Sequence, residues 1–262
     1  MAQWEPSQYL KFESERMRPP VDLVGRIPLE SPGTVYDLGC GTGNATRLLA
    51  GRWPGARIAG IDSSPEMLAK ARAGADQGGD EGIGWIEADL AHFHPPYPAD
   101  LIFSNAALHW LDDHAALFPR LMSFLSPGGV LAVQMPRNHA EPAFSALFET
   151  ARSGPWADRL DPLLRTAPVA APAAYYDLLA PFAGRLEIWE TVYHQVLTGD
   201  NPVVEFAKGT VLRPLLEALN ERERADFLAG YTARVAAAYP PQADGRTIYP
   251  FRRLFLVAVN RD

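Results

Sequence analysis

Three observations make this chain of 262 residues an α/β protein built on a mostly parallel sheet. Residues 34–62 read strand, glycine turn, helix, strand, acid. Short apolar runs of strand length then recur at Gly84–Ala88, Ala99–Ser104 and Val130–Met135, between stretches with helical spacing or Pro/Gly punctuation. The composition, 47% apolar and 21% charged, is that of an ordinary globule long enough for one good core with an inserted lobe.

The elements follow in order. Ser7 caps a short helix carrying Tyr9, Leu10 and Phe12. Pro19 is expected to end it, because the residue before a proline avoids the helical region, and Val21–Arg26 reads as a second helix. Thr34–Leu38 is a buried strand. Gly39, Gly41 and Gly43 make a turn, Ala45–Trp53 is helical, and Pro54-Gly55 stops it. Ala56–Ile61 is the second strand, closing on Asp62. Ser64 is the expected N-cap of the next helix, with Pro65 at its first position, and the helix runs to about Ala73. After the loop 75–84, Gly84–Ala88 leads into Asp89-Leu90, and Ala99–Ser104 feeds Asn105 to Leu111. Asp112 or Asp113 caps a helix to about Leu125. Ser126-Pro127-Gly128-Gly129 is a turn before the strand Val130–Met135. Helical pieces fill 136–183, and 185–194 alternates as a strand. A helix pair spans 202–219, a long amphipathic helix spans 221–239, and Thr247–Val259 is the last strand.

The unit at 34–62 has ligand-binding physics. Glycines allow positive φ and expose bare backbone, and the helix N-terminus behind them offers unpaired N–H groups with a partial positive charge. An acid some twenty residues on suits the two hydroxyls of a ribose. The unit is therefore expected to hold a nucleoside. A net charge of −7 argues against nucleic acid as a partner. The single cysteine, Cys40, permits no intrachain disulfide, and no His/Cys cluster suggests a metal. With no signal-like start and no run of membrane-span length, a cytoplasmic protein off the membrane is expected.

The spacing D-x-G-x-G-x-G from Asp37 to Gly43 differs from the dinucleotide fingerprint G-x-G-x-x-G and resembles motif I of the class I S-adenosyl-L-methionine (SAM) methyltransferases. The pieces W-x-P-S-x-Y-L-x-F-x-x-E-R-x-R-P, D-L-G-C-G-x-G-N-x-T, G-I-D-S-S-P-x-M, L-x-W-L, G-V-L-A-V-Q-M-P and R-L-F-x-V-A are similar to the trans-aconitate 2-methyltransferase family and are spread over essentially the whole chain. The resemblance implies a Rossmann-like, seven-stranded, mostly parallel sheet with an antiparallel last strand. It implies one domain over 1–262: N-terminal lid helices in 1–30, a SAM-binding core in 31–136, a helical cap from 137–183 and 195–245, and closing strands at 185–194 and 247–259. Around the cofactor it places Asp37, Gly39, Gly41, Gly43, Asn44, Asp62, Ser63, Met67, Asp89, Leu90 and Asn105, joined by Arg18 as a possible carboxylate partner. For the acid the candidates are Tyr9, His109, Trp110, Tyr176, Arg213, Tyr231 and Arg253.

The chemistry expected is transfer of SAM's methyl group to a carboxylate of trans-aconitate, by in-line displacement. A carboxylate is ionised at neutral pH, so no general base is required, and His109 would matter as a base only for a different acceptor. Arginine forks suit the carboxylates that do not react. The alternatives are a SAM methyltransferase for another small acidic metabolite and a SAM-binding protein that transfers nothing. The glycine spacing disfavours an NAD-dependent reductase. The oligomeric state stays open.

Overall fold

The computed structural model describes residues 13–74, 82–166 and 168–261, with side chains from Met17 onward. Helix α1 spans Glu13–Arg26, followed by β1 Thr34–Leu38, α2 Asn44–Arg52, β2 Arg57–Asp62, α3 Pro65–Gly74, β3 Ile83–Glu87 and β4 Ala99–Asn105. A 3₁₀ turn at Leu108–Trp110 leads to α4 His114–Ser123 and β5 Leu125–Pro136. Then come α5 Pro142–Ser153, α6 Ala157–Leu160, a 3₁₀ turn at Asp161–Leu163, α7 Pro172–Leu179 and β6 Ala183–Leu197. The chain closes with α8 Pro202–Lys208, α9 Arg213–Glu217, α10 Glu221–Ala238 and β7 Thr247–Asn260.

The strands form one seven-stranded sheet, ordered β3-β2-β1-β4-β5-β7-β6. Pairs β2–β3, β1–β2, β1–β4 and β4–β5 are parallel, and β7 runs antiparallel to β5. The order reverses between β1 and β4, so the carboxyl ends of these strands diverge at a crevice where open α/β sheets bind ligands.

Two compact units share the chain. Among the described residues, one comprises 16–74, 82–136, 168–191 and 253–261, and the other 13–15, 137–166 and 192–252. The first holds the parallel strands, and its core includes Tyr36, Leu38, Ile102, Phe118, Val133, Tyr175 and Leu256. The second is mainly helical and has its own core, including Trp156, Phe206, Phe227, Tyr231, Tyr249 and Phe251. Residues 168–183, expected with the cap, cluster with the sheet.

Two local expectations fail for physical reasons. Pro19 does not end a helix, because α1 runs through both Pro19 and Pro20. Both prolines are buried, so packing of their rings offsets the lost backbone hydrogen bonds. Ser126–Gly129 is not a separate turn but an irregularity inside β5. The register on β4 jumps from Ala99↔Leu125 to Leu101↔Val130, and the extra residues bulge out with Gly128 at φ 70°.

Candidate active site

The glycine turn is built as the spacing demands and is braced from four sides. Gly39, Gly41 and Gly43 have φ of 77°, 54° and 83°, the left-handed region that favours glycine. The N–H groups of Gly39 and Cys40 donate to the Ile61 carbonyl at 2.8 and 3.0 Å, folding the turn over the end of β2. Packing dictates two of the glycines. A methyl group at Gly39 would stand 2.1 Å from Ala107 Cβ, and one at Gly43 would stand 2.4 Å from the Trp85 indole. None of the described residues lies within 4 Å of the corresponding position at Gly41, so they leave the turn open there.

Asp62 is tied to this turn. One carboxylate oxygen accepts the Gly41 N–H at 2.8 Å and the other accepts the Ser64 N–H at 2.9 Å. A carboxylate offers about four acceptor positions, so two bonds leave capacity for a diol. Ser64 is the N-cap expected for α3, its hydroxyl accepting from Met67 N–H at 3.2 Å. Ser63 is exposed, and Met67 is buried at the start of the helix.

Asp37 lies behind the turn rather than on it. It is 1% exposed and accepts the Thr46 hydroxyl at 2.6 Å. Burial pushes its carboxyl up to about 7, the Thr46 hydrogen bond opposing and the charge of Asp62 adding to the rise. Asp37 therefore supports the turn from within instead of offering a ligand its side chain, and Thr46 is a partner that the sequence reading missed. Cys40 is buried, which raises its thiol pKa far above the usual range and leaves an unreactive packing residue.

The remaining cofactor candidates sit at the carboxyl ends of neighbouring strands. Asn44 opens α2, whose first turn has no acidic residue and whose N-cap, Gly43, supplies no side-chain cap, an arrangement suited to a ligand carboxylate. Asp89 is exposed. The Ala91 N–H and the His92 ring engage its oxygens at 2.9 and 2.8 Å and hold its carboxyl below the usual range. The carbonyl of the adjoining Leu90 accepts from Arg120 at 2.9 Å. Asn105 ends β4, and its Oδ1 is buried with no hydrogen-bond partner among the described residues. Ala106 follows at φ 54°, a left-handed conformation that is strained for a residue with a Cβ. Arg18 stands exposed on α1. The open face at Gly41, the spare acceptor capacity of Asp62 and the orphan oxygen of Asn105 together fit a nucleoside bearing hydroxyl and ammonium donors.

The substrate candidates separate. His109 and Trp110 lie in the 3₁₀ turn after β4, their rings 4.9 Å apart, with Trp110 39% exposed. That turn is anchored by His114, another residue missed from sequence. Its Nε2–H donates to the Leu108 carbonyl at 3.0 Å, and its Nδ1 shares a 2.7 Å hydrogen bond with the Tyr175 hydroxyl. Tyr176, the next residue on α7, is 57% exposed. Arg253 is 5% exposed on β7 and donates to Gln134 Oε1 at 3.1 Å. Arg213 opens α9 in the helical unit and pairs with Glu217 at 2.9 Å. Tyr231, expected as a substrate wall, is 1% exposed and stacked on Phe227, a core residue of the helical unit. Its place on the apolar stripe of an amphipathic helix carried that information already. Tyr9 lies outside the described residues. Two surface hollows, one bounded by Val196, Gln242 and Ile248 and one by Leu29, Asp100 and Gly129, are lined by none of these candidates.

Comparison with known proteins bears on the whole chain. Residues 35–129 match a family model described as a methyltransferase domain. A protein of Azoarcus sp. (strain BH72) named trans-aconitate 2-methyltransferase is 52% identical over 259 residues, 99% of this chain and 100% of that protein. A protein of the same name from Agrobacterium fabrum is 48% identical over 98% of this chain and 99% of its own length. Among solved structures, the YcgJ protein of Bacillus subtilis has a TM-score of 0.60 at 13% identity, over 94% of this chain and 99% of that one. Phosphoethanolamine N-methyltransferase 2 of Haemonchus contortus, solved with S-adenosyl-L-methionine, has a TM-score of 0.55 at 17% identity, over 93% of this chain and 52% of that one. The structural likenesses establish the fold.

Proposed function

The chain belongs to the trans-aconitate 2-methyltransferase family, and from that premise we propose that it methylates a carboxylate of trans-aconitate with S-adenosyl-L-methionine, giving the monomethyl ester and S-adenosylhomocysteine. The observation that carries the proposal is identity of about half the residues across 99% of the chain, helical unit included. Bound SAM supplies a methyl group on a sulfonium, an electrophile with a good leaving group. The protein's share of the work is to bind and align. The glycine turn, Asn44, Asp62, Met67, Asp89, Leu90 and Asn105 would hold the cofactor along the carboxyl ends of the parallel strands, with Ser63 at the edge and Asp37 stiffening the turn from behind.

The acceptor is ionised at neutral pH, so no residue has to remove a proton, and the rate comes from positioning and exclusion of water. His109 is read as part of the wall beside the acid together with Trp110, not as a base. No helix among the described residues is long and apolar enough to cross a membrane. A small acid in the cytoplasm is the proposed substrate, with neither nucleic acid nor membrane as a partner.

The test is incubation of the purified protein with radiolabelled SAM and trans-aconitate, with cis-aconitate, citrate and isocitrate in parallel, scoring base-labile methyl ester. Label confined to trans-aconitate is the expected result. Binding of SAM with no ester from any of the four acids would overturn the substrate and send the search to other metabolites.

A further inference from the structure

On the sheet, Asn105 of β4 is the register partner of Gln134 of β5, and Pro136 of β5 is the register partner of Arg253 of β7. Gln134 and Pro136 are two residues apart on one strand, so Asn105, Gln134 and Arg253 project from the same face at the carboxyl end of β4 and β5. Gln134 is fully buried and Arg253 is 5% exposed. An arginine can only donate, so its bond to Gln134 Oε1 fixes which way the Gln134 amide points. The amide nitrogen that remains, Nε2, is buried with no hydrogen-bond partner among the described residues. A buried donor left without an acceptor is costly, so a chain that keeps one at the carboxyl end of its parallel strands has a use for it.

We propose that Gln134 and Arg253 form a subsite for one carboxylate of the acid, with Gln134 Nε2–H donating to it directly and Gln134 Oε1 holding the guanidinium alongside. A neutral donor beside a cation, both desolvated, is a site for a carboxylate group, which accepts from both and cannot donate. The glutamine has a second task. A glutamate of the same shape in its place would pair with the guanidinium itself and repel a ligand carboxylate, which the neutral amide does not do. Gln134 is thus a specificity residue for a polycarboxylate, an inference that rests on the acid methyltransferase reading above.

The experiment is calorimetric titration of trans-aconitate into the protein saturated with S-adenosylhomocysteine, which needs no methyl transfer, for wild type, Gln134→Glu and Gln134→Met. Both substitutions should weaken acid binding by on the order of 10- to 100-fold, the worth of a lost hydrogen bond to a charged group, with Gln134→Glu the worse. Affinity for S-adenosylhomocysteine should stay within about twofold, since one lost contact to the acid leaves the cofactor's partners in place. Should Gln134→Glu fail to fold, Gln134→Met fills a similar volume without charge and carries the test alone. Wild-type acid affinity in either folded variant overturns the subsite and leaves the methyltransferase reading intact. Equal losses of acid and cofactor affinity overturn it too, by showing a structural role. A wild-type protein that binds the cofactor but no acid overturns subsite and reading together.

Discussion

Gly39 and Gly41 show how unlike two glycines of one turn are. Each has positive φ, but among the described residues only Gly39 meets a neighbour, Ala107 at 2.1 Å from an added methyl, while none stands near Gly41. Gly39→Ala should therefore lower stability by more than about 2 kcal/mol, combining a clash with left-handed strain. Gly41→Ala should cost only the strain, roughly 1 kcal/mol, and show its main loss in SAM affinity. Thermal melts beside cofactor titrations separate the two, and equal stability losses would contradict this division. Asp37 gives a pH test. Its folded carboxyl is at about 7 against 3.8 for an ordinary one. Between those values the folded state keeps a proton that the unfolded state has released, so stability falls as pH rises, by up to about 1.4 kcal/mol per unit. Asp37→Asn should remove that slope between about pH 4 and 7 in melts compared with wild type, and parallel curves would refute the raised value. The turn and its acid were legible in the sequence because fixed local spacing encodes them. Thr46 as the partner of Asp37, Trp85 over Gly43 and the Gln134–Arg253 pair were not, because each contact depends on side-chain placement or strand neighbours that spacing does not specify.

Among the elements, the long helix α10 carries a capping box. The Asn220 side chain accepts from Glu223 N–H at 3.0 Å, and the Glu223 carboxylate accepts from Asn220 N–H at 3.0 Å. Asn220→Ala should cost about 1 kcal/mol, read by denaturant melts, and no change would mean that the helix start is held by other contacts. The 3₁₀ turn bearing His109 and Trp110 hangs on His114 and Tyr175. Tyr175→Phe removes the hydroxyl that serves both His114 Nδ1 and the Ala170 N–H, and should cost roughly 1–3 kcal/mol. A neutral outcome in the same melts would show that the turn needs no such anchor. Strand and helix positions were largely legible from periodicity. Where reading failed, at Pro19-Pro20 and at Ser126–Gly129, a breaker residue was tolerated because burial or a bulge accommodated it, and local rules carry no term for either.

At the scale of the molecule, every proposed cofactor contact belongs to the unit containing the parallel strands. Hydrogen exchange with and without S-adenosylhomocysteine should show protection gained at residues 39–44, 62–67, 89–90 and 105. No gain at 39–44 would sink the placement of the cofactor. The seven-stranded sheet and its antiparallel strand were anticipated through family resemblance, while the partition into two cores was not. Periodicity marks which residues are apolar but not which core receives them, so it does not separate 168–183 from the cap, whereas Tyr175 and Leu179 pack in the core of the sheet unit.

The place of β7 has a consequence for how the chain is made. It is the last strand in sequence, yet it sits inside the sheet, between β5 and β6. During synthesis β5 leaves the ribosome with its outer edge unpaired, and that edge waits until Thr247–Asn260 emerges. The nascent protein thus carries an open, apolar strand edge through the translation of both intervening helical segments, and a truncation that removed Thr247–Asn260 would leave it open for good.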